Sequence, residues 1–132
     1  MPNESAELVG RAYGAYVAGD LATMLDYVAP DLEWTYLDPS QEDPEPQVCH
    51  GRRELRIALS RLAGQGLRSE LEEVVGLDDR VMVVLKTPGI DATRARAADD
   101  RNFAVVTVRD GRIAAIRAYR SRREAAMAAG IE

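Results

Sequence analysis

With 132 residues, 46% of them hydrophobic and 30% charged, the chain has the length and composition of one folded domain rather than of a disordered segment. A formal net charge of −5 argues against a nucleic-acid partner, since phosphate binding requires clustered positive charge. Apolar runs such as Val81 to Leu85 are far too short to span a bilayer, the opening Met-Pro-Asn-Glu-Ser is no signal peptide, and the lone Cys49 forms no internal disulfide, so a cytoplasmic protein without membrane contact is expected.

The chain begins helical. From Glu4 to Ala18, residues Leu8, Ala12, Ala15 and Tyr16 fall near one face, with Val9 and Tyr13 beside them. Gly19 stops that helix, and Asp20 caps a second one through Met24, Leu25 and Val28, which Ala29-Pro30-Asp31 breaks. Leu32 to Tyr36 is rich in β-formers and reads as the first strand. Residues 37–49 form an acidic loop in which Pro39, Pro44 and Pro46 forbid a regular helix or a central strand. Leu55, Ala58, Leu59 and Leu62 then recur at helical spacing, so Arg52 to Ala63 is a third amphipathic helix, ended by Gly64 and Gly66.

From there the pattern turns to strands. Arg68 to Val75 and Arg80 to Thr87 flank a turn at Gly76-Leu77-Asp78-Asp79. Asn102 to Arg109 and Arg112 to Tyr119 flank Asp110-Gly111, the strongest short hairpin signal in the chain. Pro88 to Arg101, between the hairpins, is dense in Arg and Asp and reads as surface. Ser121-Arg-Arg-Glu124 is a capping box that opens a short alanine-rich helix ending at Gly130. With no internal repeat and no second boundary, residues 1–132 make a single α+β domain. The architecture expected is a curved antiparallel sheet, a cone-shaped α+β barrel, packed with three N-terminal helices plus a short C-terminal one. The concave side of such a sheet is a common place for a ligand.

That order of elements resembles the nuclear-transport-factor-2-like superfamily, which includes ketosteroid isomerases, SnoaL-type polyketide cyclases and limonene epoxide hydrolases. The phrases that carry the resemblance are Tyr16-Val-Ala-Gly-Asp20, Ala29-Pro-Asp-Leu-Glu-Trp34, His50-Gly51-Arg52, and Asp110-Gly111-Arg112-Ile113 through Tyr119. Together they cover nearly the whole chain, and they point to a fold rather than to one reaction.

The family's ketosteroid isomerases use a carboxylate base beside a tyrosine and a protonated aspartic acid that bind the developing oxyanion. Asp38-Pro39 resembles the Asp-Pro that carries that base, about two residues late. A carboxylate at an apolar mouth has the raised pKa a proton-abstracting base needs. Equally, Asp38 can open a turn before Pro39 with its charge in solvent. The family's tyrosine falls on Ala12 and its donor aspartic acid on Ala104, and neither alanine can donate a hydrogen bond. One lost donor costs on the order of 100-fold or more in rate, so ketosteroid isomerase chemistry as such is not expected. Tyr13 or Tyr16 can supply a hydroxyl from a neighbouring turn, or both can be core aromatics.

The family's epoxide hydrolases bridge two aspartates with an arginine. Asp99, Asp100 and Arg101 have the right types, but adjacent strand residues point to opposite faces, so a charged loop is the better reading. His50, the one histidine, is a candidate base, although His-Gly-Arg at this place also reads as packing at the entrance of the third helix. Cys49 and His50 alone make no metal-ligand set, and neither a metal nor another cofactor is expected.

If the strands follow the family, one face carries Met82, Val84, Asn102, Ala104, Val106, Ile116, Ala118 and Arg120, with Trp34 or Tyr36 at the wall or rim. Such a lining suits a small hydrophobic ligand bearing one oxygen or carboxylate function; the same side chains can also fill one another. The opposite face carries Phe103, Val105, Thr107, Ile113, Ala115, Arg117 and Tyr119, too apolar to leave wet, which implies a homodimer through the sheet face. Two classes of function follow. One is cofactor-independent acid–base chemistry by an isomerase, cyclase or hydrolase, led by Asp38 with Tyr16, His50, Asn102 or Arg120 assisting. The other is a ligand-binding or dimerisation module without turnover.

Overall fold

The computed structural model describes residues 3–37, 45–64, 66, 68–90 and 99–131. Helix α1 (Glu4–Val17) starts at Asn3, whose side chain accepts the amide N–H of Ala6 at 2.8 Å and so satisfies one of the helix's free donors. It stops where Gly19 turns left-handed, at φ +85°. Asp20 caps the short α2 (Leu21–Asp26), accepting from the Thr23 amide at 3.2 Å and from the Thr23 hydroxyl at 2.6 Å.

The second helix ends at Asp26, two residues before the expected Val28. Strand β1 (Val28–Tyr36) begins there, through the segment read as a break. Pro30 is tolerated because β1 is irregular between Val28 and Glu33, so the missing N–H costs no ladder bond in a regular pairing. The stretch read as loop up to residue 49 yields a further strand, β2 (Gln47–His50), antiparallel to β1. It lies at the sheet edge directly after Pro46, where four residues give too little pattern to read.

Helix α3 (Gly51–Gly64) packs on β1. Gly51, at φ +82°, lets the chain pass close to the Pro30 carbonyl, and Arg52 Nε donates to the Val28 carbonyl at 2.7 Å. Then come β3 (Glu70–Leu77), β4 (Arg80–Lys86), β5 (Arg101–Arg109), β6 (Arg112–Tyr119) and α4 (Arg122–Ala128). Asp110 and Gly111 both have positive φ, as a two-residue hairpin turn with primed geometry requires. The last helix has its capping box: Ser121 accepts from the Glu124 amide at 3.1 Å, and Glu124 reaches back to the Arg120 amide at 3.3 Å.

The six strands form one curved sheet in the order β2-β1-β6-β5-β4-β3. It is α+β as expected, with one difference: β1 and β6 pair in parallel, so the sheet is mixed, and β2 and β3 leave its two edges unjoined. Irregularities at Glu72 in β3, and at Ala114 in β6 opposite Thr107 and Val108, bend it.

Two cores result. Val81 and Val83 join Val106, Ile113 and Ile116 under α1, α2 and α3, together with Val9, Leu32 and Leu55. Met82, Val84 and Val105 lie on the other side, with Ala125, Ala126 and Ala129 around α4.

Helix and sheet approach each other closely at Gly76. A Cβ there would lie 2.8 Å from Asn3 Cγ and 2.9 Å from the Ala6 Cβ. Gly76→Ala therefore pushes the start of α1 off the sheet and costs about 1–3 kcal/mol in urea unfolding. Gly14→Ala, with open space at the same helix, instead raises stability by up to about 1 kcal/mol.

Candidate functional site

The concave face of the sheet, α1 and α3 enclose a cavity of about 520 Å³. Its floor is set by strand register: Val83 lies opposite Ala104, Leu85 opposite Asn102, and Ala104 opposite Ala118. Cross-strand partners share a face, so these side chains point together. Alanine at 104, 118 and 58 keeps the space from filling, and Met24, Trp34, Leu55, Leu59 and Ile116 make the rest of the wall apolar.

The polar groups are few and ordered. Thr87 continues the Val83–Leu85 alternation to the end of β4 and is buried, with 5% of its surface exposed. Its hydroxyl lies 2.8 Å from that of Ser69. The Ser69 hydroxyl also lies near enough to the Tyr16 phenol to influence its ionisation. Burial pushes the Tyr16 pKa up, and the Ser69 hydroxyl pulls it partly back. Tyr13, one helical turn earlier, is 5% exposed and also lines the cavity. Its pKa is raised further, first by burial and then by the neighbouring Tyr16 phenol. Both phenols are neutral donors across the physiological range.

At the mouth, the rings of Trp34 and Tyr36 meet at 5.0 Å with a 37° tilt, and the Tyr36 hydroxyl donates to Gln47 Oε1 at 2.7 Å. Asn102, Arg61, Arg101 and Arg120 border the same opening. Arg101 is tied outward to Glu72, with bonds of 2.6 and 3.3 Å that hold the carboxyl below its ordinary pKa. Asp99 and Asp100 both sit in left-handed turn backbone, and Arg101 also pairs with Asp99 at 3.8 Å, so the Asp-Asp-Arg run is a charged turn, as expected. Cys49 reaches the cavity, but desolvation and the Glu54 carboxylate raise its pKa and keep the thiol protonated.

Of the residues picked out in the sequence, Tyr16, Trp34, Tyr36, Asn102, Ala104, Ile116 and Arg120 come together around this cavity. Two others do not. Met82 pairs with Val105, so it sits on the α4 side with Val84; counting the face from Met82 puts β4 one residue out of phase. Ile113, assigned to the outer face, is fully buried in the inner core, because the irregularity beside Val108 shifts β6. His50 is exposed and away from the lining, since strand alternation turns Cys49 inward and His50 outward. Its backbone N–H donates to Glu54, which fits its reading as part of the α3 entrance. Asp38 lies outside the described residues.

The sequence reading missed Ser69 and Thr87. The phase of Val83 and Leu85 could have found Thr87; nothing local marks Ser69. Among the described residues no three His, Cys, Asp or Glu side chains come together to hold a metal, and no helix is long and apolar enough to cross a membrane.

The sequence profile of the SnoaL-like domain matches residues 9–116. No curated protein matches the chain. Among solved structures, Bal32a, from a soil-derived mobile gene cassette, is 23% identical, with 88% of each chain covered and a TM-score of 0.70. A candidate polyketide cyclase from Xanthomonas campestris pv. campestris is 24% identical, covering 92% of this chain and 93% of its own, at a TM-score of 0.64. TerC, co-crystallised with polyporic acid, is 19% identical over 89% and 91%, at 0.66. At these identities the likeness is one of fold.

The tyrosine absorbance titration should contain a component well above the ordinary value of about 10, and Tyr13→Phe should remove it. Because folding raises this pKa, the native state holds the proton longer than the unfolded chain. The stabilisation is complete below about pH 10 and is lost as the pH rises through the folded-state value. A titration that Tyr13→Phe leaves unaltered would contradict the burial of that hydroxyl.

Proposed function

This chain belongs to the SnoaL-like domain family, and from that footing we propose that its cone binds a small, largely apolar molecule carrying an oxygen function. The observation that carries the reading is the cavity of about 520 Å³, apolar over most of its wall and polar only at Tyr13, Tyr16, Ser69 and Thr87 inside and at the mouth. Ligand sites have this size and this sparse, placed polarity. TerC, of the same fold, was crystallised with polyporic acid, and another of its fold is a candidate polyketide cyclase, which supports a ring-bearing molecule here too.

Turnover, in this reading, is acid–base chemistry without cofactor. Asp38 is the base: it follows directly on Leu37, which lines the cavity. A carboxylate beside an apolar mouth has its pKa raised toward the working range. Tyr16, on the cavity wall beside Ser69, is the hydrogen-bond donor. His50 has no part in it.

A second reading, binding without turnover, is favoured by two positions. The places of the resembled isomerases' oxygen-binding donors are Ala12, fully buried in the core, and Ala104 on the cavity floor. A homodimer through the outer sheet face and a cytoplasmic location complete the proposal. The apolar outer positions left beside α4 support the first, and the single free cysteine the second.

A thermal-shift screen against steroids, polyketide fragments, terpenoid epoxides and aromatic acids tests the reading. A ligand at 100 times its Kd should add about 2.7 kcal/mol, a rise of several degrees. Ala104→Phe, which fills the floor, should abolish the shift. If a reaction is found, Asp38→Asn should slow it by about 100-fold or more; an unchanged rate removes Asp38 as base.

A further inference from the structure

We propose that the cavity selects a ligand bearing a hydroxyl group, an alcohol rather than a ketone or an acid, and that the paired hydroxyls of Ser69 and Thr87 recognise it. This rests on the binding reading above and goes on to name the ligand's chemical class and the residues that select it.

The first observation is where Thr87 stands. Among the described residues, every buried side chain except those of Thr87 and Tyr13 is apolar. Thr87 has 5% of its surface exposed and lines the cavity at the end of the inner face of β4. Valine has nearly the same shape and brings no polar atom to bury. The backbone there is held on both sides: the Thr87 amide donates to the Asp100 carbonyl at 2.7 Å, and the Ile90 amide donates to the Thr87 carbonyl at 3.1 Å. With that backbone and a β-branched side chain, the hydroxyl is in place before any ligand arrives.

The second observation is a count of hydrogens. The Ser69 and Thr87 oxygens lie 2.8 Å apart, either can be the donor, and both residues line the cavity. Two hydroxyl groups have two hydrogens, and the bond between them uses one. The other hydrogen is left over, whichever way the bond runs, and so is a lone pair on the donor oxygen. The count is the same if the Tyr16 phenol near Ser69 extends the row, since three hydroxyls make two bonds and again leave one hydrogen. Beyond Tyr16, no other group among the described residues bonds either hydroxyl.

A group that completes such a row must both take a bond and give one. A ligand hydroxyl does so, closing the row into a ring in which each oxygen gives once and takes once. A carbonyl, an ether or a carboxylate only takes, and an ammonium group only gives. Polar atoms in an open cavity are hydrated, so a ligand has to return the bonds it displaces. A hydroxyl returns two, a carbonyl one and a hydrocarbon none.

Equilibrium dialysis with 9-fluorenol, 9-fluorenone and fluorene, three tricyclic molecules that differ at one position, separates these cases. The wild-type chain should bind the alcohol about fivefold more tightly than the ketone, and about tenfold or more tightly than the hydrocarbon. In Thr87→Val one hydroxyl remains, so alcohol and ketone each make one bond. Their ratio should fall to about twofold or less, with fluorene bound no more weakly, and Ser69→Ala should give the same result. A hydrogen bond that serves only the fold would alter the melting temperature and leave the ratio as it was. An undiminished ratio in either variant, or a ketone bound by the wild type as well as the alcohol, overturns this inference and leaves the binding site standing. Binding of none of the three overturns the inference and the pocket reading together.

Discussion

The register between β4, β5 and β6 is the constraint on which the rest depends. Side chains alternate across a strand and partners share a face, so one pairing, Val83 with Ala104, fixes which residues meet the helices and which meet α4. With that pairing, the inner face receives Val81, Val83, Leu85, Ala104 and Ile116, and the outer face receives Met82, Val84 and Val105. A slip of one residue would exchange the two sets. It would bury Met82 where the cavity is and turn the small alanines toward α4. The cavity follows from register, and small residues keep it open.

The helices then decide how the cavity is furnished. Helix α1 can lie close on β3 because Gly76 has no side chain, and this approach sets how Tyr13 and Tyr16 face the sheet. Tyr16 meets Ser69 just before β3, and Ser69 meets Thr87 just after β4, so both ends of one hairpin supply the polar chain. The arginines remain at the rim, where Arg101 is bound to Glu72 near solvent. Exposed pairs of this kind contribute little to stability, commonly under about 1 kcal/mol. The site thus offers neutral donors within and charge outside, an arrangement suited to an uncharged, mostly apolar molecule.

Much of this was legible in the chain because the signals are local. Asp110-Gly111, Ser121 with Glu124, and Gly19-Asp20 each specify a turn or cap within a few residues, and each appears where it was read. The seven picked-out residues that line the cavity lie on elements whose phase was right. The departures all depend on contacts between distant segments. The parallel β1–β6 pairing joins strands far apart in sequence, and no turn announces it. The four residues of β2 are a strand only because β1 is beside them. Met82 was misplaced by one step of phase, and Ile113 by a bulge that leaves no mark in composition. That the Tyr13 hydroxyl is buried beside the cavity is a property of the folded neighbourhood, which helical spacing cannot express.

Methyl NMR during titration with a ligand found in the thermal-shift screen tests the division of the sheet most directly. The account predicts that the methyl signals of Val83, Ala104 and Ile116 move together and saturate together, while those of Met82, Val84 and Ala126 stay in place. Shifts in the second set, or equal shifts in both, would contradict a ligand cavity on the concave face.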